Sequence, residues 1–185
     1  MIKPFKEEFS QTQGFAENPQ DYARFGLKGH NGLDYGLLCE TKLISPIDGL
    51  ITEVANDPTG YGLYIKIENS AEGCLLAHLS KQDVIVGQHV DQSQHLGWSG
   101  TTGNSTGCHL HFGYFRTPRD RKNGYNGYID PTPYFDESDI ISEDMPTYLK
   151  TIFQENGLNV ADESSVREFF EKARRYNGLK TDFDN

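Results

Sequence analysis

The chain has 185 residues, 36% of them hydrophobic, enough for one well-formed core and a small appendage. Its 27 acidic against 17 basic residues leave a net charge of −10, which argues against nucleic acids and anionic membrane surfaces as partners. No run approaches the roughly 20 apolar residues needed to cross a bilayer, and the start, Met1-Ile2-Lys3-Pro4-Phe5-Lys6-Glu7-Glu8, lacks the apolar stretch of a secretion signal.

In chain order, the first informative segment is Gly29-His30-Asn31-Gly32-Leu33-Asp34-Tyr35-Gly36, with His30 four residues ahead of Asp34. On a helix these two would share a face, but each of Gly29, Gly32 and Gly36 costs a helix roughly 1 kcal/mol. The segment therefore reads as a loop running into a strand over Leu33 to Leu38. Ile44 to Val54 carries a turn signal at Asp48-Gly49 followed by alternation, and Leu63 to Glu68 alternates again. Asn69 to Gly73 reads as the turn before Leu75-Leu76-Ala77-His78-Leu79-Ser80, an apolar strand in which a buried imidazole needs a partner. Taken alone, His78 reads as a satisfied core histidine.

Val86 to Val90 and Leu96 to Trp98 look like another tight hairpin, with His89 and His95 exposed in the polar stretch between them. Such a hairpin resembles those of biotinyl and lipoyl carrier domains, yet none here offers the modifiable lysine those carriers need at the tip. Gly103 to Gly107 then forms a tight loop leading into Cys108-His109-Leu110-His111-Phe112. Residues i and i+2 of a strand share a face at about 6.5–7 Å. His109 and His111 therefore look one way, while Cys108, Leu110 and Phe112 look toward a core.

An H-x-H alone arises by chance in a chain with six histidines. Joined to His30 and Asp34 it makes a metal site: neutral imidazoles plus one carboxylate suit Zn²⁺, and three protein ligands with one open position is the catalytic form of such a centre. Spacing alone leaves open which of His109 and His111 binds the metal, since both can face it. No H-E-x-x-H occurs, so a helix-borne glutamate base is not expected.

The segments 29–36, Ala77-His78-Leu79-Ser80 and 97–112 resemble, in order and spacing, the lysostaphin-like or LytM-type zinc metallopeptidases that cut peptidoglycan peptide bridges. The resemblance covers roughly residues 10 to 135 and ends at Tyr128-Ile129-Asp130-Pro131, which is similar to the family's closing aspartate-proline element. It implies a mainly β fold, a twisted antiparallel β-sheet with a zinc groove of the duplicated hybrid motif type. It also implies zinc ligands at His30, Asp34 and His111, with His78 and His109 as catalytic histidines beside the metal. Cys108 stands where the family commonly has proline, Leu76 where an aromatic often precedes Ala-His-Leu, and Asn104 where arginine is frequent. None is a ligand position, so these departures bear on groove shape and substrate preference. Latent family members block zinc with an asparagine from a pro-segment. The 29 residues before His30 look instead like the start of the domain, so an unblocked metal is expected.

The three cysteines, Cys39, Cys74 and Cys108, lack a C-x-x-C spacing and read as reduced, mostly buried thiols, with a structural disulfide between two of them as the alternative. After about Asp136 the composition shifts: residues 136–185 hold 12 acidic and 6 basic residues. Helical patterns there run from Pro146 through Leu149, Ile152 and Phe153 to Asn156-Gly157, and through Val166, Phe169, Phe170 and Ala173 to Asn177-Gly178. The expected organisation is a catalytic domain over 1–135 and an acidic helical appendage over 136–185, either packed on that domain or serving to dock a tail protein or cell wall. The expected function is zinc-dependent hydrolysis of peptidoglycan cross-links, with a monomer as the default state. A wall substrate with no secretion signal suggests a phage enzyme, released at lysis or carried on the virion, with a piece of a larger secreted protein as the rival reading. The alternative is a catalytically idle relative that serves as a virion or scaffold module.

Overall fold

Turns rich in glycine, asparagine and aspartate cut the apolar sequence into short runs, and pairing of these runs builds the fold. The computed structural model describes residues 1–136 other than Glu8; the C-terminal helical patterns lie outside the described residues. The strands are β1 (Gln11–Gln13), β2 (Leu33–Tyr35), β3 (Lys42–Ile44), β4 (Gly49–Asp57), β5 (Gly62–Glu68), β6 (Glu72–Gln82), β7 (His89–Val90), β8 (His95–Ser99) and β9 (Leu110–Arg116). They form one antiparallel sheet in the order β1-β2-β9-β6-β5-β4-β7, with β8 pairing both β3 and β6.

Side-chain chemistry at the turns explains the β4–β5–β6 meander. Asp57 Oδ1 accepts the Thr59 N–H at 3.2 Å, and Asn69 Oδ1 accepts the Ala71 and Glu72 N–H groups at 2.9 and 3.1 Å. These are Asx turns that close the chain back on itself. Alternation then sorts the strands onto two apolar clusters. Ile65 and Ile67 of β5, Cys74 and Leu76 of β6, and Leu110, Phe112 and Tyr114 of β9 enter the larger core; Leu75, Ala77 and Phe115 enter the smaller one with Tyr128. The predicted division of Leu110 and Phe112 from His111 is thus realised.

Three expectations are overturned. The segment from Val86 to Trp98 is not a hairpin: β7 pairs with β4, as Gly49↔Val90, whereas β8 pairs with β3 and β6. Main-chain bonds from Ser45 N–H to Gln94 O and from Ser93 N–H to Ser45 O, each 2.8 Å, hold the connecting turn away from self-pairing. His95 is half-buried, with Nε2 2.9 Å from Asp83 Oδ2, while His89 is exposed as expected. The cysteines also differ from the reading as three reduced thiols. Cys39 and Cys108 form a disulfide across 69 residues with Cα atoms 5.2 Å apart, and Cys74 alone is a buried free thiol. The sheet brings together two loops that the sequence gives no reason to pair.

Among the described residues no helix is long and apolar enough to cross a membrane. Ile67, fully buried in the larger core and remote from the histidines, reports on this packing. Ile67→Ala is expected to lower stability by about 2–5 kcal/mol in urea unfolding; a loss below about 1 kcal/mol would mean that the core collapses around the gap.

Candidate metal centre

The five singled-out residues converge. β2 and β9 pair with Asp34 opposite His111, and β9 and β6 pair with Ala77 opposite His111, so one sheet row carries the carboxylate and the imidazole side by side. Leu33 and Tyr35, flanking Asp34, enter the core on the other face. His30 precedes β2 in a loop fixed by main-chain bonds, Ala16 N–H to His30 O at 2.8 Å and His30 N–H to Glu17 O at 2.9 Å. Gly29 is required there, because a Cβ would sit 2.4 Å from the Ala16 carbonyl oxygen.

His78 reaches the site by an irregularity. Strict alternation along β6 would send it to the core face with Cys74 and Leu76. Its positive φ of 63° breaks the alternation, so that Leu79 follows Leu76 into the core and the imidazole lies 4.5 Å from the His109 ring, centroid to centroid. A left-handed conformation is uncommon outside glycine and costs on the order of 1–3 kcal/mol, offset here by the His78 N–H bond to Tyr61 O at 2.9 Å and the neighbouring ladder.

His30 Nε2, Asp34 Oδ1 and His111 Nδ1 form a triangle with edges of 2.9, 3.0 and 3.1 Å. The Gly14 carbonyl accepts a hydrogen bond from His30 Nδ1–H at 2.9 Å, which turns the Nε2 lone pair toward the Asp34 carboxylate. Lone pairs facing one another at such distances repel unless a cation or proton lies between them. Zinc–nitrogen and zinc–oxygen bonds of about 2.0–2.2 Å in a tetrahedral centre set ligand atoms roughly 3.2–3.6 Å apart, so the triangle needs to open only by a few tenths of an ångström. These three residues could hold a metal ion, and their nitrogen and carboxylate donors fit zinc.

Electrostatics agree. Burial alone would raise the Asp34 carboxyl, but a proton held between it and the facing nitrogens of His111 and His30 keeps it well below the usual carboxylate range. Burial pushes the His78 imidazole down to about 4 and lowers His111 as well, so both rings are neutral and keep a lone pair at neutral pH. The carbonyls of Thr102 and Gly107 accept hydrogen bonds from the Nδ1–H groups of His78 and His109 at 2.8 and 2.9 Å. That leaves Nε2 of each as the free ring nitrogen, with His109 Nε2 3.9 Å from Asp34 Oδ2.

The site opens into a groove of about 920 Å³. Sequence reasoning missed Tyr22, whose ring lies 5.3 Å from that of His30 and whose phenol burial pushes up to about 12. It also missed Asn31, which donates to the Tyr61 hydroxyl at 2.7 Å behind His111. Adjacency to His30 was the signal available for Asn31; Tyr22 had none.

A profile of Peptidase family M23 matches residues 28–126. Lysostaphin of Staphylococcus simulans is 40% identical over 91 residues, covering 47% of this chain and 18% of lysostaphin. Peptidoglycan DD-endopeptidase ShyA of Vibrio cholerae is 37% identical over 84 residues, covering 45% of this chain and 19% of its own. The solved catalytic domain of lysostaphin from Staphylococcus simulans superposes with a TM-score of 0.57 at 31% identity, over 68% of this chain and 91% of that domain. The chain thus spans about a fifth of the length of these two curated relatives.

Gly32 tests the centre without touching a donor. A Cβ there would meet Phe112 O at 2.5 Å and His111 Cε1 at 2.7 Å. Gly32→Ala is therefore expected to weaken zinc binding by roughly 10–100-fold in competition with a chromogenic chelator. Unchanged affinity in a folded variant would show that His111 can shift without cost.

Proposed function

The chain belongs to peptidase family M23, and on that premise we propose that it is a zinc-dependent endopeptidase hydrolysing the peptide cross-links of bacterial peptidoglycan. The observation that carries the proposal is the pairing of a three-donor triangle with two further histidines whose Nδ1 atoms are both engaged by main-chain carbonyls. That arrangement supplies two lone-pair nitrogens beside a cation site, which is what amide hydrolysis by an activated water requires. The names of the relatives, a peptidoglycan DD-endopeptidase among them, support the substrate class.

In this reading His30, Asp34 and His111 hold the metal. Zinc, when bound, supplies a Lewis acid for the water and the scissile carbonyl. His78 and His109 then handle protons and hydrogen bonds at the reacting carbonyl. Each has its Nε2 available, so each can accept a proton from the nucleophilic water and afterwards donate to the oxyanion or to the leaving amine. Their main-chain partners fix ring orientation and leave the proton no alternative nitrogen. The same reading takes residues 136–185 as an acidic appendage to the catalytic domain and a monomer as the working state. It places the enzyme at the cell wall after phage lysis or on a virion. Convergence of five polar side chains on one point favours an active enzyme over an idle scaffold module.

His109→Ala is expected to keep its zinc and lose 10²–10⁴-fold in turnover, roughly the share of a general acid–base group. His111→Ala is expected to lose the metal, and chelation is expected to abolish hydrolysis. Metal content and turnover on both directly cross-linked and glycine-bridged walls check this. A His109 variant hydrolysing at the wild-type rate overturns the role assignment, and zinc-loaded wild-type protein inert on both walls returns the idle reading.

A further inference from the structure

The Cys39–Cys108 disulfide joins a rigid turn to the residue immediately before His109. Cys39 is exposed in the turn that follows β2, and four hydrogen bonds with the fully buried Ser99 at the end of β8 anchor that turn. Glu40 N–H donates to Ser99 O at 2.9 Å, Ser99 N–H to Thr41 O at 2.9 Å, Ser99 Oγ–H to Leu38 O at 2.7 Å, and Thr41 N–H to Ser99 Oγ at 2.9 Å. Cys108 lies on the other side, at the end of a loop in which Asn104, Thr106 and Gly107 are exposed.

His109 depends on that loop. Its ring partners, the Gly107 carbonyl at 2.9 Å and Ser105 Oγ at 3.2 Å, belong to the loop itself, where Ser105 Oγ also lies 3.0 Å from Thr101 Oγ1. Its own N–H bond, to Gly100 O, is 3.3 Å long, and the loop's bond to Gly60, from Asn104 N–H at 2.8 Å, lies upstream. The metal triangle is held differently, by the β2–β9 register and the Gly14 carbonyl.

We propose that the Cys39–Cys108 disulfide is a positioning element for His109, so that the oxidised protein is competent and the reduced protein is slow while still holding its metal. The proposal rests on the reading that His109 takes part in turnover. The chemistry balances with a small dithiol as reductant. One thiolate attacks a disulfide sulfur to give a mixed disulfide and a protein thiol, and the second displaces the remaining protein sulfur. The protein gains two electrons and two protons, and the dithiol becomes a disulfide. Exposure of Cys39 gives the attacking thiolate access. A chain made in a reducing compartment would thus remain slow until it met an oxidising one.

The test uses the zinc-loaded full chain and a soluble cross-linked muropeptide. Reduction with dithiothreitol, followed by its removal without air, is expected to lower kcat by about 10–100-fold, the scale on which small misplacements of catalytic groups act. KM and zinc content should stay within about twofold, because uniform binding is untouched. Oxidised glutathione should restore the wild type, whereas Cys39→Ser should be slow throughout and gain nothing. The double variant Cys39→Ala with Cys108→Pro, which restrains the same backbone through a fixed φ, should recover most of the lost turnover and ignore reductant. Reduced wild type turning over at the oxidised rate overturns the proposal, as does a loss of rate that tracks loss of zinc or of cooperative unfolding. If His109→Ala is inactive and reduction changes nothing, this inference alone falls; if His109→Ala keeps full rate, the reading beneath it falls first.

Discussion

The pairing of Asp34 with His111 across β2 and β9 is the constraint on which the rest of the centre depends. A strand has a side-chain period of two, so slipping this register by one residue would send Asp34 and His111 into the core and bring Leu33 or Phe112 to the groove. Burial of Leu33, Tyr35, Leu110 and Phe112 prevents the slip. Hydrophobic packing on one face of the sheet thereby fixes the distance between a carboxylate and an imidazole on the other. Mutual repulsion of the donors is the corresponding cost, and a bound cation converts that cost into affinity.

Main-chain carbonyls complete the centre. Gly14, Thr102 and Gly107 each face an Nδ1 of His30, His78 or His109, so loop backbone determines which nitrogen of each ring faces inward. A carbonyl held in this way fixes both the tautomer and the rotation of the ring, and it adds no charge to a buried site. The only formal negative charge at the triangle is therefore that of Asp34, and two imidazoles with one carboxylate leave a divalent ion with net positive charge.

Local alternation around His109-x-His111 and the glycine-spaced His30 and Asp34 were legible in the sequence because strand period and metal-donor chemistry are local properties. The sorting of Leu110 and Phe112 away from His111 followed from that period. Other features depend on chain segments far apart. His78 stands where alternation would bury it in the core, and only a left-handed residue turns it over. The Cys39–Cys108 pair and the divergent pairing of β7 and β8 come from closure of the whole sheet. Resemblance to a family supplied the choice between His109 and His111; in the structure His111 lies within the strand, in register with Asp34, and His109 lies one step before it, tied to Gly100 by an isolated bridge.

Asp34 and His111 stand on paired strands, so the sheet register holds their spacing, whereas His30 and His109 are held by loop backbone and His78 by an irregular residue within β6. The chain is strongly acidic, yet Arg24 and Arg121 line the groove together with Asp21 and Asp57. Exposed charges are screened beyond about 8 Å at physiological ionic strength, so the global negative charge gives little long-range steering toward an anionic wall. Recognition of the proposed substrate therefore falls to contacts made inside the groove, where the cation site and the two arginines offset the acidity of the rest of the surface.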